Sequence, residues 1–206
     1  MAGRIATRWC TGNDCALFAG VGAPYVAIMH RPYPMPPTQP TPFEYLDLSW
    51  EMFGELSRAL ALKVARDYEP DVVVGIARAG ALPGAVVATI LDVDFYSMKI
   101  SRRGDDDEVR DRPAVLSAAP REVQGKRVLI VDEVTTSGAT LRLALAAVRD
   151  VSPLEVRTAT SFARTRGYTP DYFALQTDAE VILPWDHHVL EDNEFVANPR
   201  YSDAVE

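Results

Sequence analysis

Arg127–Leu141 reads RVLIVDEVTTSGATL, and the reading of this stretch decides the fold. Val128–Val131 is a short, mostly β-branched apolar run, which predicts a strand buried on both faces, as in a parallel sheet. Two adjacent carboxylates, Asp132 and Glu133, follow at its carboxyl end, where open α/β sheets bind ligands. Next comes a loop of hydroxyls and small residues: Thr135, Thr136, Ser137, Gly138, Ala139 and Thr140. A helix is predicted from there through Val148. The first amides of a helix have no intrahelical partner, so this loop can turn N–H groups toward an anion. Gly138 allows close backbone approach. The stretch therefore reads as a phosphate cradle, beside carboxylates suited to sugar hydroxyls or a hydrated Mg²⁺. It has neither the P-loop spacing with its lysine nor the G-x-G-x-x-G pattern.

Working outward, Asp71–Ile76 (DVVVGI) is a second buried strand. It runs into the small-residue loop of Val74–Gly84 (VGIARAGALPG), which carries one cation, Arg78. Such a loop can form a nest of amides for an anion. A helix is expected over Leu82–Leu91, opening at Pro83, and strands over Phe95–Ile100, Glu155–Ala163 and Glu180–Leu183. Upstream, Ser49 can cap a helix whose apolar face is Phe53, Leu56, Leu60 and Val64. That helix should end near Tyr68, because Pro70 disfavours helical geometry at Glu69. Strands alternating with helices predict an α/β fold with a mainly parallel twisted sheet flanked by helices. Ser101–Arg112 (SRRGDDDEVRDR) has nine charged residues in twelve, so a solvated flexible loop is expected over 101–122.

The chain has 206 residues, 48% of them hydrophobic, enough for a sizeable core. Its 21 basic and 29 acidic residues give a net charge of −8. An acidic surface argues against nucleic-acid and anionic-membrane partners. No stretch of 18 apolar residues predicts a membrane span. Cys10 and Cys15 are the only cysteines, which excludes a disulfide scaffold, and a cytoplasmic location is expected. Seven of the 15 prolines precede Phe43. Residues 1–43 thus read as a Pro-rich leader, disordered or non-native unless it docks, ahead of a single domain at 44–206.

Val128–Leu141 resembles the 5-phosphoribosyl-1-pyrophosphate (PRPP) motif of the type I phosphoribosyltransferases, and the resemblance extends over about Tyr45 to His188. It implies that fold, with a small hood subdomain at about 157–188. It implies Asp132 and Glu133 on the ribose hydroxyls, and Thr135–Thr140 on the 5′-phosphate. Arg78, Ala79 and Gly80 would grip pyrophosphate, with a non-proline cis peptide between Ala77 and Arg78. Lys99, Ser101, Arg102 and Arg103 would form the stem of a lid, Lys99 acting with the two acids in catalysis. Mg²⁺ is the implied cofactor, held by Asp132, Glu133 and Asp186, and a homodimer or higher homo-oligomer is the implied assembly.

Phe162–Gly167 (FARTRG) and Glu180–Asp186 (EVILPWD) resemble the base-binding hood of the 6-oxopurine enzymes, especially the xanthine-guanine kind. The implied base-binding residues are Arg164, Trp185 and Glu180. Three positions depart from that pattern. Thr136 stands where those enzymes have Asp, Arg164 where they have Lys, and Glu180 where they have a stacking aromatic; Trp185 would stack in another register. The resemblance implies transfer of the phosphoribosyl group from PRPP to a nucleobase in nucleotide salvage, the best fit being hypoxanthine, guanine or xanthine. A pyrimidine or other acceptor, or a PRPP-binding regulator without catalysis, stays open.

Overall fold

The computed structural model describes residues 44–103 and 109–204. The leader at 1–43 lies outside them. A short strand β1 (Tyr45–Asp47) leads into helix α1 (Trp50–Ala65). The expected cap forms: Ser49 Oγ accepts from Met52 N at 3.1 Å. Phe53, Leu60 and Val64 are buried as the helical spacing predicts. The helix stops at Ala65, short of Tyr68. Tyr68 instead folds inward in the following turn and donates its hydroxyl to Val128 O at 3.0 Å.

Strand β2 (Val72–Ala77) and helix α2 (Ala81–Leu91) follow, then β3 (Asp94–Arg103) and β4 (Val109–Val115). After a short 3₁₀ turn at Arg121–Val123 come β5 (Arg127–Thr135), helix α3 (Ala139–Arg149), β6 (Glu155–Ala163) and β7 (Tyr172–Gln176). These strands make one six-stranded sheet in the order β4-β3-β2-β5-β6-β7. Every pair is parallel except β3 with β4. The chain fills the sheet outward from β2 in one direction through β3, and from β5 in the other. The β2–β5 boundary is therefore the switch point, where a crevice opens at the carboxyl ends.

Alternation along the central strands splits the core into two layers. Val72, Val74 and Ile76 of β2 and Val128 and Ile130 of β5 pack with Leu141, Ala144 and Val148 of α3. Val73, Leu129 and Val131 face the other way, toward Leu60 and Val64 of α1 and Val87 of α2. The remaining strands form two small pairs: β8 (Glu180–Ile182) parallel to β1, and the hairpin β9 (His188–Glu191) with β10 (Glu194–Ala197). Leu48, Phe53, Phe162 and Leu183 make a third cluster, with Leu46 of β1 and Val181 of β8 packed against it.

Two expectations need correction. The loop predicted over 101–122 contains strand at 101–103 and 109–115. β3 continues to Arg103, and β4 pairs back on it, Ser101 opposite Ala114 and Arg103 opposite Val109. A two-stranded arm at a sheet edge is held by backbone pairing, so charged side chains suit it, and Pro113 is tolerated on an edge strand. Residues 104–108, the middle of the predicted loop, lie outside the described residues. The hood, expected from 157, also starts later, because Arg157–Ala163 belong to β6, an interior strand of the main sheet.

Candidate active site

The loop after β5 is built around Gly138. Its φ is +71°, a left-handed backbone that favours glycine. A Cβ there would run into the ring of Tyr168. Tyr168 closes the back of the loop, with its amide on Thr136 O at 3.0 Å and its ring under the Arg142 guanidinium, 5.1 Å away. Arg142 Nη2 in turn donates to Ser137 O. Gly138 serves as the cap of α3 without a side-chain capping bond. Arg142 N, on Gly138 O at 2.9 Å, makes the first backbone bond of the helix to the loop, and Ala139 N donates to Ser137 Oγ at 3.4 Å. A helix start of this kind offers its remaining amides to an anion.

Those residues line a cavity of about 410 Å³. Thr135, Thr136, Ser137, Gly138, Ala139 and Thr140 all contribute, together with Asp132 and Arg102. Thr135 Oγ1 is buried there with no hydrogen-bond partner among the described residues. An orphaned buried hydroxyl is costly unless something else bonds it.

A second cavity of about 550 Å³ opens beside the first, and Val134 lines both. Its wall takes Arg78 and Ala79 from the loop after β2, Glu133 from β5, Arg164, Glu180, Trp185 and Asp186. The Ala77–Arg78 peptide is cis, at the bond where the resemblance places one. Gly80 lines neither cavity. It marks the closest approach of that loop to β5, since a Cβ on it would lie 2.7 Å from Asp132 Cα. Trp185 is fixed from behind, edge-on to Phe53 with ring centroids 5.2 Å apart, and tilted against Trp50 at 5.7 Å.

Asp132 and Glu133 thus face different cavities. The period of β5 dictates this: Asp132 continues the α3 side of the strand and Glu133 the opposite side. Burial pushes the Asp132 carboxyl up to about 6, against a hydrogen bond from Glu133 N that favours the charged form. Burial, then the charges of Asp132 and Asp186, push Glu133 up to about 7. The three carboxylates expected to share a cation do not gather into one ligand cluster, and no such cluster occurs among the described residues. Strand geometry separates Asp132 from Glu133 and Asp186.

Lys99, also expected in catalysis, lies on β3 in register with Ala77 and lines neither cavity; nor does Ser101. For Arg103 the structure describes only the backbone, in β3. The remaining wall of the larger cavity was not legible in the sequence. Leu82, Val181, Arg200 and Tyr201 line it. The last two come from the 3₁₀ segment Pro199–Ala204, which carries no motif. Arg200 Nη2 meets Glu180 Oε1 at 2.8 Å, while Arg164 Nη2 meets Glu180 Oε2 at 3.3 Å. His187 points elsewhere, with Nε2 2.7 Å from Asp47 Oδ1.

A crevice at the switch point, with a hydroxyl loop on one side and a tryptophan-walled pocket on the other, is matched by one family over residues 48–191: the phosphoribosyl transferase domain. The chain belongs to this family. As a phosphoribosyltransferase it is similar to the xanthine-guanine phosphoribosyltransferase of Nitratidesulfovibrio vulgaris, at 28% identity over 158 residues, covering 75% of this chain and 93% of that one. A second relative is the orotate phosphoribosyltransferase of Saccharolobus solfataricus, 34% identical over 84 residues, covering 41% of this chain and 39% of that one. Among solved structures, the purine phosphoribosyltransferase of Pyrococcus horikoshii superposes with a TM-score of 0.60 at 29% identity. That match covers 68% of this chain and 93% of the other. The fold is the type I phosphoribosyltransferase fold.

Proposed function

We propose that this chain transfers the 5-phosphoribosyl group of PRPP to a ring nitrogen of a purine base, releasing pyrophosphate. Family membership makes it a PRPP-dependent pentosyltransferase. The observation that carries the reading is the pair of adjoining cavities at one switch point, one suited to a phosphate and the other to a flat, polar-edged ring. The similarity to enzymes named for purines favours a purine in the second. In the reaction the base nitrogen forms a bond to ribose C1, the bond from C1 to the pyrophosphate oxygen breaks with its electrons going to pyrophosphate, and the N–H proton that the purine ring gives up passes to solvent.

The residues divide accordingly. The amides and hydroxyls of Thr135–Thr140, with the orphaned Thr135 Oγ1, hold the 5′-phosphate. Asp132 and Glu133, the two acids between the cavities, accept from ribose hydroxyls. Arg78 and the amides of its loop face the pyrophosphate, with Lys99 and Arg102 approaching from β3 as the β3–β4 arm closes. Trp185 offers a ring face to the base, and Arg164 a donor to an exocyclic oxygen. Catalysis then rests on positioning and on neutralising charge as the leaving group departs.

The donor set fits Mg²⁺. Glu133 and Asp186 line one cavity and Asp132 the adjoining one, and Mg²⁺ takes one or two carboxylates and completes its shell with water and substrate phosphate. Bound there it would supply charge neutralisation on the pyrophosphate side. The reading is tested by incubating the protein with PRPP, Mg²⁺ and a panel of purine and pyrimidine bases. Pyrophosphate should appear with a purine. Its absence with every base, in protein that binds PRPP by calorimetry, would leave a binding protein instead.

A further inference from the structure

Glu180 and Arg200, which join Arg164 in the larger cavity, are the part of it that neither the family pattern nor the transfer reaction explains. Glu180 stands where the purine enzymes it resembles have an aromatic ring. Arg200 lies beyond residue 191, where the family match ends. Yet all three side chains line one cavity, and they are linked: each carboxylate oxygen of Glu180 takes one guanidinium, Arg164 at 3.3 Å and Arg200 at 2.8 Å.

The segment bearing Arg200 is anchored. Tyr201 is buried, Asn198 Nδ2 donates to Asp186 O at 2.7 Å, and Asn198 N donates to His187 O at 2.9 Å. On the other flank Arg164 donates to Ala179 O and its own amide bonds Thr135 O at 3.3 Å. Glu180 therefore holds two donors at fixed places on either side of itself.

Such a row offers donor, acceptor, donor. A carboxylate has about four lone-pair sites, so Glu180 can keep both guanidinium partners and still accept from a ligand N–H. Each guanidinium has five N–H groups and spends only part of them in the cluster. The complement of this row is acceptor, donor, acceptor, which is the imide edge of a dioxo base: carbonyl, ring N–H, carbonyl. Guanine presents an amino group in place of the second carbonyl, and a guanidinium cannot accept from it. Hypoxanthine presents only a C–H there. Donors that a bound base covers and leaves facing such groups are costly, which is how a polar site discriminates.

Resting on the purine-transfer reading, we infer that Arg164, Glu180 and Arg200 together read an imide edge, and that the acceptor is a 2,6-dioxopurine, xanthine, in preference to guanine and hypoxanthine. Arg200 is the specificity-determining residue of the three, since it faces the position at which the three purines differ.

The test compares kcat/KM for xanthine, guanine, hypoxanthine and uracil, with PRPP and Mg²⁺, in the wild-type chain, Arg200→Ala and Arg200→Gln. Arg200 is largely exposed, its side chain 67% accessible, so both variants should fold, which circular dichroism checks. The wild type should favour xanthine over guanine by roughly tenfold or more. Arg200→Ala should lower the xanthine-to-hypoxanthine ratio by roughly 10- to 100-fold. Arg200→Gln, whose amide oxygen can accept from an amino group, should move the preference toward guanine. A wild type that prefers guanine or hypoxanthine overturns the inference. So does an Arg200→Ala variant that loses the same factor with every base, because a segment that merely packs would do that.

Xanthosine, guanosine, inosine and uridine monophosphates, titrated by calorimetry, separate this inference from the reading beneath it. No turnover with any base rejects the transfer reading, while tighter binding of xanthosine monophosphate that Arg200→Ala abolishes still supports the imide site. Equal affinities for the four nucleotides overturn it. Uracil turned over as well as xanthine would support imide recognition and reject the purine.

Discussion

Asp132 and Glu133 are acids whose ordinary range lies near 4, and the fold holds them near 6 and near 7. The sign of the consequence follows from proton counting. Between about pH 4 and pH 7 the folded state carries more protons than the unfolded chain, so stability falls as pH rises through that window and levels off above it. Each carboxylate is thus a liability to the empty protein at neutral pH, kept for a ligand that uses the charge. We expect Asp132→Asn with Glu133→Gln to melt higher than the wild type at pH 8, by roughly 5 °C. The gap should close toward pH 4.5, where both carboxyls are already neutral. The same variant should bind PRPP with Mg²⁺ far more weakly by calorimetry. A variant with unchanged PRPP affinity would remove these residues from the ribose site. A pH-independent gap in melting temperature would mean that burial does not set their charge.

Among the elements, the turn from β5 into α3 shows how local chemistry builds a site. Gly138 answers two demands at once, a left-handed backbone and the close approach of the Tyr168 ring. The two can be separated. Gly138→Ala should be destabilising by about 3 kcal/mol in urea unfolding, combining the backbone penalty with the clash. In a Tyr168→Ala background the clash is gone, and the same substitution should cost only about 1–2 kcal/mol, the left-handed term alone. Equal costs in both backgrounds would show that Tyr168 does not press on the loop. Tyr168→Ala alone should weaken PRPP binding, because the loop loses the ring that backs it.

This element was legible because its residue types are constrained by backbone conformation and by the anion it faces. The β3–β4 arm was not. Its charge density argues for solvation, and solvation is compatible with strand pairing as well as with a loop, so composition could not choose. β9 and β10 were missed for a related reason. They are short and exposed, and their turn uses Asp192 and Asn193, both at positive φ, where glycine would have announced a hairpin.

Across the whole molecule the two halves of the site are assembled differently, and this explains why one was readable as a continuous motif while the other was read in separate pieces, without Arg200. The phosphate half comes from a single continuous stretch, β5 through the start of α3, so spacing alone displays it. The larger cavity, which takes the acceptor beside the pyrophosphate side, is collected from distant points: Arg78 after β2, Glu133 in β5, Arg164 after β6, Glu180 in β8, Trp185 and Asp186 beyond it, and Arg200 near the end. No local pattern joins Arg200 to Glu180, and only the docking of the segment around Asn198 and Tyr201 brings them together. The separation makes a prediction about the molecule as a unit. A chain ended after Ala197 loses Arg200, the buried Tyr201 and both Asn198 bonds, but nothing from the six-stranded sheet or the phosphate loop. It should keep its far-ultraviolet circular dichroism and bind PRPP with Mg²⁺ within roughly threefold of the full chain. Its KM for the acceptor base should rise by roughly tenfold or more, since one wall of that cavity and its charged clasp are gone. Loss of PRPP binding together with base binding would show that the C-terminal segment supports the whole crevice, whereas an unchanged KM would show that it stands outside the acceptor site.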